Sequence, residues 1–215
     1  MSAVKNIMKN YAKNAELDEF LQKELADAGY GGVDILKTPI GTRVTISVTR
    51  PGLVIGRRGI GIKDLTSAIE KKFGLPNPQI SVLEVEVPEL NPNIMANRIA
   101  QNVARGGAFR RAASWALNSI MNAGAMGAEI IIRGKLRSER SHYQKYKAGI
   151  VLKSGEVALK SVKEATTHLL LKMGLYGIKV KIALKDLITP EVEIIEKKPE
   201  EGAKKEEETS AETQE

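Results

Sequence analysis

A four-residue turn, Gly56-Arg57-Arg58-Gly59, restricts the possible folds of this chain more than any other stretch. Pro51 favours a helix start just before the turn, and apolar residues recur at helical spacing after it, from Ile62 to Phe73. A glycine at each end lets the backbone fold tightly and lets another backbone approach without a Cβ in the way. We therefore predict two helices that meet at this turn, which we call the GRRG loop.

The GRRG loop also has the chemistry of a site for a nucleic-acid strand. The free N–H groups and the dipole of the helix that follows favour phosphate oxygens, and the two arginines supply counter-charge. Aliphatic side chains beside the loop can hold bases by van der Waals contact. This is the arrangement by which KH domains clamp about four nucleotides through a Gly-x-x-Gly loop. The predicted RNA-binding residues are Val54, Ile55, Gly56, Arg57, Arg58, Gly59, Ile62 and Lys63.

An isolated Gly-x-x-Gly turn would more simply be a helix–helix connection with solvated arginines, so its surroundings matter. Residues 14–28 predict a helix capped by Asn14, 33–37 and 42–50 predict strands, and 79–87 predicts a strand with Leu83, Val85 and Val87 on one face. The resulting order α-β-β-α-α-β favours the RNA-binding interpretation. Neither a dinucleotide fingerprint nor a Gly-x4-Gly-Lys loop is present in the sequence.

The second half of the chain begins after a proline-containing hinge at 87–93. Helices are predicted over 93–105 and 108–123, the second with an apolar face from Phe109 to Ile120, and strands over 128–136, 148–153 and 178–185. Residues 157–173 stay open: their apolar spacing fits a helix, whereas their β-branched content and flanking turns allow a strand.

Charge is distributed unevenly along the chain. The net charge is +7, but residues 191–215 contain ten Glu and four Lys, so the first 190 residues carry +13. A body that basic favours a polyanionic partner, although a basic protein can also simply be soluble. The acidic tail has few apolar residues and is predicted to be disordered. The chain has no cysteine, and no apolar run approaches membrane-spanning length, so we expect a soluble, cytoplasmic protein.

The segment Arg50 to Gly59, within its α-β-β-α-α-β order, resembles the type II KH domain of the third-protein family of the small ribosomal subunit. The stretches 108–112, 127–136 and 176–182 resemble that family's second domain, and the basic start and acidic tail suggest an archaeal-type member. The resemblance implies an α+β protein: an N-terminal extension and type II KH domain over 1–88, two helices on a four-stranded antiparallel sheet over 89–190, and a disordered acidic tail over 191–215. It favours strand for most of 157–173.

The resemblance also implies a structural role in the subunit head, with small-subunit rRNA, mRNA and neighbouring ribosomal proteins as partners. Members of the family line the mRNA entrance and help to part structured mRNA with basic side chains on the second helix of the second domain. Arg110 and Arg111 match this pair, but Ser114 stands where the bacterial pattern has a lysine.

Further basic residues are candidates for RNA contact. Arg98 and Arg105 are seven apart and share a helix face, and a second group falls within fifteen residues, interleaved with His142, Tyr143 and Tyr146. Glu139 is the one acidic residue between the ends of this group, which favours RNA contact over an ordinary solvated hairpin. The group consists of Arg133, Lys135, Arg137, Arg140, Lys145 and Lys147.

No residue pattern points to an enzyme, a metal site or a cofactor. The two histidines, His142 and His168, are far apart in sequence, and His142 is expected in a basic loop that disfavours a metal ion. Two alternatives stay open: a free-standing KH-type regulator of mRNAs, and a DNA-lesion lyase as a side activity, as suggested for eukaryotic relatives.

Overall fold

The first domain of the computed structural model has the predicted α-β-β-α-α-β order. The structure describes residues 3–38, 41–75 and 78–185. Its elements in this domain are α1 (Ala3–Glu24), β1 (Tyr30–Lys37), β2 (Thr42–Val48), α2 (Pro51–Ile55), α3 (Ile60–Phe73) and β3 (Pro78–Glu84). The three strands form one sheet in the order β1-β2-β3, with β1 and β2 antiparallel and β2 and β3 parallel.

Strand β2 forms the centre of the first core. Its alternating residues Val44, Ile46 and Val48 are fully buried, and the helices pack over them. Helix α1 contributes Leu17 and Leu21 at helical spacing, Leu25 follows directly after its last residue, and α3 contributes Ile69. The GRRG loop therefore lies between two helices that are held on a well-packed sheet.

Two predictions for this domain were wrong in detail. Helix α1 begins at Ala3, so Asn14 lies inside it and is not its cap. Strand β3 buries Ile80 and Val82 in part, whereas Leu83 is 55% exposed and Val87 lies beyond the strand and is exposed. The parallel pairing with β2 decides this, because it places Ile80 and Val82 beside the buried Val44 and Ile46.

In the second domain two long helices pack on a four-stranded antiparallel sheet, as the resemblance implied, and a short third helix precedes the last two strands. The strand order is β5-β4-β7-β6. Buried residues of β4 and β7, such as Ile130 and Val180, pack against the helices Pro92–Ala104 and Phe109–Asn122, including Met95 and Ala116. The elements are α4 (Pro92–Ala104), α5 (Phe109–Asn122), β4 (Gly127–Gly134), β5 (His142–Gly149), α6 (Gly155–Ser161), β6 (Val162–Leu171) and β7 (Gly174–Ala183).

Strand positions in this domain differ from the predictions. Strand β5 spans His142–Gly149 and not 148–153, so His142 lies on a strand and not in a loop. The open segment 157–173 is mostly the strand β6, preceded by the short helix α6. A helical apolar stripe does not exist there, because Leu159 is 85% exposed and Ala165 faces the core through its pairing with Val180.

The predicted hinge between the domains is fastened by side chains. The Asn91 side chain caps α4 by accepting a hydrogen bond from the Asn93 N–H at 3.0 Å, as the Asn-Pro pair indicated. The side-chain amides of Asn91 and Asn93 also donate to the Gly31 carbonyl of β1, at 3.1 and 3.0 Å. Arg98 and Glu89 form an ion pair at 2.8 Å across the same connection.

Across 3–38, 41–75 and 78–185, no helix is long and apolar enough to cross a membrane. The predicted disordered tail, 191–215, lies outside the described residues.

Candidate nucleic-acid interface

The GRRG loop has a backbone that needs glycine. Gly56 ends α2 with a φ of 68°, and its N–H donates to the Gly52 carbonyl at 3.0 Å. Arg57 to Gly59 then form a single 3₁₀ turn, in which Gly59 has a φ of 76° and Arg58 a φ of 56°. These left-handed values cost little for glycine, whereas Arg58 adopts its value at some cost in strain.

A third glycine, Gly61, allows the two helices to approach each other. A Cβ at Gly61 would lie 2.6 Å from the Val54 carbonyl oxygen, inside contact distance. The predicted site set did not include this residue, although Gly-x-x-Gly followed by another glycine two positions later is a visible signal. Gly61 therefore sets how closely α2 and α3 pack behind the loop.

The loop exposes its cationic side chains to solvent. Arg57, Arg58 and Lys63 are all exposed, and no carboxylate in the described part of the chain pairs with them. Helix α3 has no side-chain cap and no acidic residue in its first turn. The positive end of its dipole is thus not neutralised locally, which favours an anion at the loop.

The aliphatic side chains around the loop divide into two groups. Val54 is buried and anchors α2 in the core, so it cannot contact a base directly, and Ile62 is half-buried. The predicted residue Ile55 is exposed, and so are Leu53 and Ile60, which were not among the predicted RNA-binding residues. The apolar surface offered to a ligand is therefore formed by Leu53, Ile55 and Ile60, with Val54 supporting it from below.

A second basic surface lies where α5 meets the edge strand β5. Arg110 and Arg111, in the first turn of α5, are exposed, as is Ser114 one turn later. The Arg110 Nε–H donates to the Gln144 side-chain oxygen at 3.4 Å, and the same oxygen accepts from the Tyr146 hydroxyl at 2.7 Å.

Strand β5 connects this pair to the group at 133–147. Gln144 and Tyr146 lie on its helix side, whereas Lys145 and Lys147 point to the opposite face of the sheet together with Arg133. The loop between β4 and β5 exposes Lys135, Arg137 and Arg140. Tertiary structure thus brings the predicted entrance pair next to the edge strand that carries Lys145 and Lys147.

Some of these cations have acidic partners that are distant in sequence. Glu129, only 3% exposed, lies 3.1 Å from the Lys145 ammonium and 3.8 Å from that of Lys153. The Glu129 carboxylate raises the pKa of Lys145, and the neighbouring Lys145 lowers the pKa of Lys153. The count of acids between 133 and 147 therefore missed a partner that precedes that segment.

Arg98 and Arg105 have different surroundings although they share a helix. Arg98 is engaged with Glu89 at the domain connection, while Arg105 ends α4 and is exposed. Burial raises the pKa of Glu89, but the hydrogen bond from Arg98, a backbone hydrogen bond and the Arg98 charge together outweigh it and lower that pKa. Arg98 is therefore tied to the domain connection, and Arg105 is the one of the two that is open to a ligand.

Comparison with known proteins matches both domains. Residues 16–90 match the family model described as KH domain, and 99–182 match Ribosomal protein S3, C-terminal domain. The small ribosomal subunit protein uS3 of Saccharolobus solfataricus is 52% identical over 78% of this chain and 73% of its own length. The chain belongs to the uS3 family. The uS3 proteins of Thermofilum pendens (52% identical, 77% of this chain, 82% of the relative) and Ignicoccus hospitalis (45%, 93%, 85%) agree.

Membership of the uS3 family confirms the resemblance drawn from the loop and the second domain, including its archaeal type. The family is one of ribosomal structural proteins and not of enzymes. A KH domain followed by this second domain implies RNA binding in translation.

Proposed function

We propose that this chain is a structural constituent of the cytoplasmic small ribosomal subunit, where it binds rRNA in the subunit head and lines the mRNA entrance. The observation that carries the proposal is the GRRG loop in a uS3-family chain: two exposed arginines without acidic partners in the described residues, between glycines with left-handed φ. That arrangement fits a phosphate-bearing strand and little else.

Different groups in and around the loop bind the phosphates and the bases of the RNA. Backbone N–H groups at the start of α3 and the guanidinium groups of Arg57 and Arg58 meet phosphate oxygens. The exposed side chains of Leu53, Ile55 and Ile60 offer apolar contact to bases that are not paired. Lys63, one turn into α3, adds positive charge beside the loop.

The second domain supplies the contact with mRNA. Arg110 and Arg111 stand at the exposed start of α5, and Arg110 is steadied by Gln144 of β5. This surface is extended along the sheet edge by Lys135, Arg137 and Arg140 in the loop between β4 and β5. Lys145 and Lys147 extend it on the other face of β5. Positive charge fixed in this way holds a single strand and so favours the open form of an mRNA hairpin, with Ser114 limiting the field at that point.

Co-sedimentation tests the assignment. The full chain, tagged and expressed in its own cells, should remain with the small subunits in a sucrose gradient after a high-salt wash. A free-standing KH regulator would be released to the supernatant, because its contacts with RNA would be mainly electrostatic and few. Recovery in the supernatant alone would contradict the proposal.

A further inference from the structure

The sheet of the second domain has a face that α4 and α5 do not cover. Toward its Gly127 end, this open face is bordered by the segment that follows β5: the Ile150 backbone passes over Gly127, and residues 152–155 and α6 lie beside Glu164 and Lys181. The pairing of the four strands arranges the remaining side chains in three rows. These are Tyr143-Arg133-Gly177-His168, Lys145-Ile131-Lys179-Thr166 and Lys147-Glu129-Lys181-Glu164.

Gly177 is the unexpected member of the first row. It lies in the interior of β7, where glycine weakens a strand; the pairing with β6 runs through it, and the pairing with β4 ends at it, opposite Arg133. Its φ is not left-handed, and a Cβ there would meet only His168 Nδ1 at an ordinary 3.8 Å. By contrast, a Cβ at Gly134 would lie 2.1 Å from the Tyr176 ring.

Neither the backbone conformation nor the packing requires glycine at position 177. The glycine therefore leaves a position without a side chain on the open face, which we call the bare floor. A glycine of this kind in a strand often marks close approach of a ligand. Flat groups border the floor: His168 on β6 is exposed, and Arg133 lies on β4 with the 70% exposed Tyr143 beyond it on β5. Tyr143 and His168 are three strand spacings apart, about 14 Å, which leaves room for a planar ring between them.

The next two rows carry positively charged side chains, which can bind the phosphates next to such a ring. Together the three rows hold five Lys or Arg side chains and two Glu, a net of +3. Each carboxylate is shared by two ammonium groups: Glu164 lies 3.0 Å from both Lys179 and Lys181, and Glu129 contacts Lys145 and Lys153. The two carboxylates therefore hold the ammonium groups in place. Each group of one carboxylate and two ammonium groups keeps a net positive charge.

We infer that this open face is a third binding surface for single-stranded RNA, on which an unpaired base lies over Gly177 between His168 and Tyr143 while the lysine rows hold the adjoining phosphates. Aromatic side chains on a four-stranded sheet stack bases in this way in other RNA-binding modules. The inference rests on the proposed function, and it adds a site that the GRRG loop and the entrance pair do not contain.

The test uses the full chain carrying Arg57→Glu and Arg58→Glu, so that the GRRG loop does not mask weaker binding. Its affinity for a labelled hexa-adenylate is compared with that for an abasic ribose-phosphate chain of equal length and charge. On this background Tyr143→Ser should weaken hexa-adenylate binding about tenfold, since stacking on one aromatic ring typically contributes this much. The abasic chain should bind more weakly and should not distinguish the variants.

Tyr11→Ser is the matched control, because Tyr11 is also 70% exposed but lies on α1 of the first domain. Gly177→Val fills the floor with a residue that favours strands, and it should lower the affinity while leaving the circular dichroism unchanged. If Gly177→Val fails to fold, the affinity of Tyr143→Ser for hexa-adenylate still tests the inference.

Nuclear magnetic resonance locates the oligonucleotide directly. The chain has two histidines, so His142→Gln assigns both imidazole signals. The His168 signal should shift on addition of hexa-adenylate and remain unshifted in Gly177→Val.

Equal affinities of Tyr143→Ser and Tyr11→Ser for hexa-adenylate, or a His168 signal that does not shift, would overturn the inference. Either result would favour a protein as the partner of this face. Retention of the unaltered chain on small subunits would meanwhile leave the proposed function standing.

Discussion

Arg110 and Gln144, 34 positions apart, are joined by a hydrogen bond of 3.4 Å between the Arg110 Nε–H and the Gln144 side-chain oxygen. This contact joins the start of α5 to the edge strand β5. Because Lys145 and Lys147 project from the opposite face of the same strand, positive charge is present on both faces of the sheet at this edge. An edge strand bearing lysines is also protected from pairing with another chain, so these residues suit both solubility and RNA contact.

Replacing Arg57 and Arg58 by Glu should weaken binding of single-stranded RNA by at least tenfold, because two phosphate contacts become repulsive. The fold should persist, since both side chains are exposed. Fluorescence anisotropy measures the affinity and circular dichroism the fold. Lys23→Glu with Lys71→Glu makes the same change of charge at exposed sites of the same domain and should have a much smaller effect. Equal losses in the two double variants would remove the loop from the mechanism.

Salt should reduce the affinity steeply, since each neutralised phosphate releases counterions. The slope of log K against log salt should become shallower by about 1.4 in the double arginine variant, because single strands contribute about 0.7 for each contact. Titrations between low and moderate salt measure both slopes. A flat response of the unaltered chain would show that its basic body is not the binding surface.

Arg110→Ala with Arg111→Ala should leave incorporation into small subunits normal but slow translation through mRNA hairpins. The reason is that these exposed side chains contribute charge and not packing. Ser114→Lys should act in the opposite direction by restoring a positive charge one turn along α5. Reconstituted translation of hairpin and unstructured messages compares the rates. Failure of assembly in the double alanine variant would instead assign these arginines to rRNA.

Gly61→Ala should lower the free energy of unfolding by about 1–3 kcal/mol, because the new Cβ would press on the Val54 carbonyl oxygen. Gly52→Ala is its control in α2, where a Cβ meets no atom within 4 Å. That change should be neutral or stabilise by about 0.4–1 kcal/mol. Denaturant unfolding measures both, and equal stabilities would show that α2 and α3 do not need glycine at their closest approach.

Glu89→Gln should lower stability near neutral pH by roughly 0.5 kcal/mol, a value reduced because the ion pair with Arg98 is partly exposed. Arg98 lowers the pKa of Glu89 in the folded chain, so this contribution is present above the usual carboxyl pKa. It is lost as the pH falls through the lowered value. Unfolding curves of both proteins should therefore converge in acid, whereas a constant difference would assign the effect to packing.

Local patterns were sufficient for much of this protein. The glycines and arginines of the GRRG loop, the helices on either side of it and the apolar face of α5 depend on residues a few positions apart, and all lie where the sequence indicated. The Asn91 cap is equally local. These features follow from backbone conformation and helical spacing, which short segments specify without help from the rest of the chain.

Other features depended on partners that are distant in sequence. The buried side of β3 follows from its pairing with β2, and the strand character of β6 follows from its pairing with β7. The ion pair of Arg98, the lysines around Glu129 and the bare floor at Gly177 likewise arise only when separate segments meet. Sheet register is set by long-range packing, and a shift of one residue reverses every side chain, so no local pattern could decide these points.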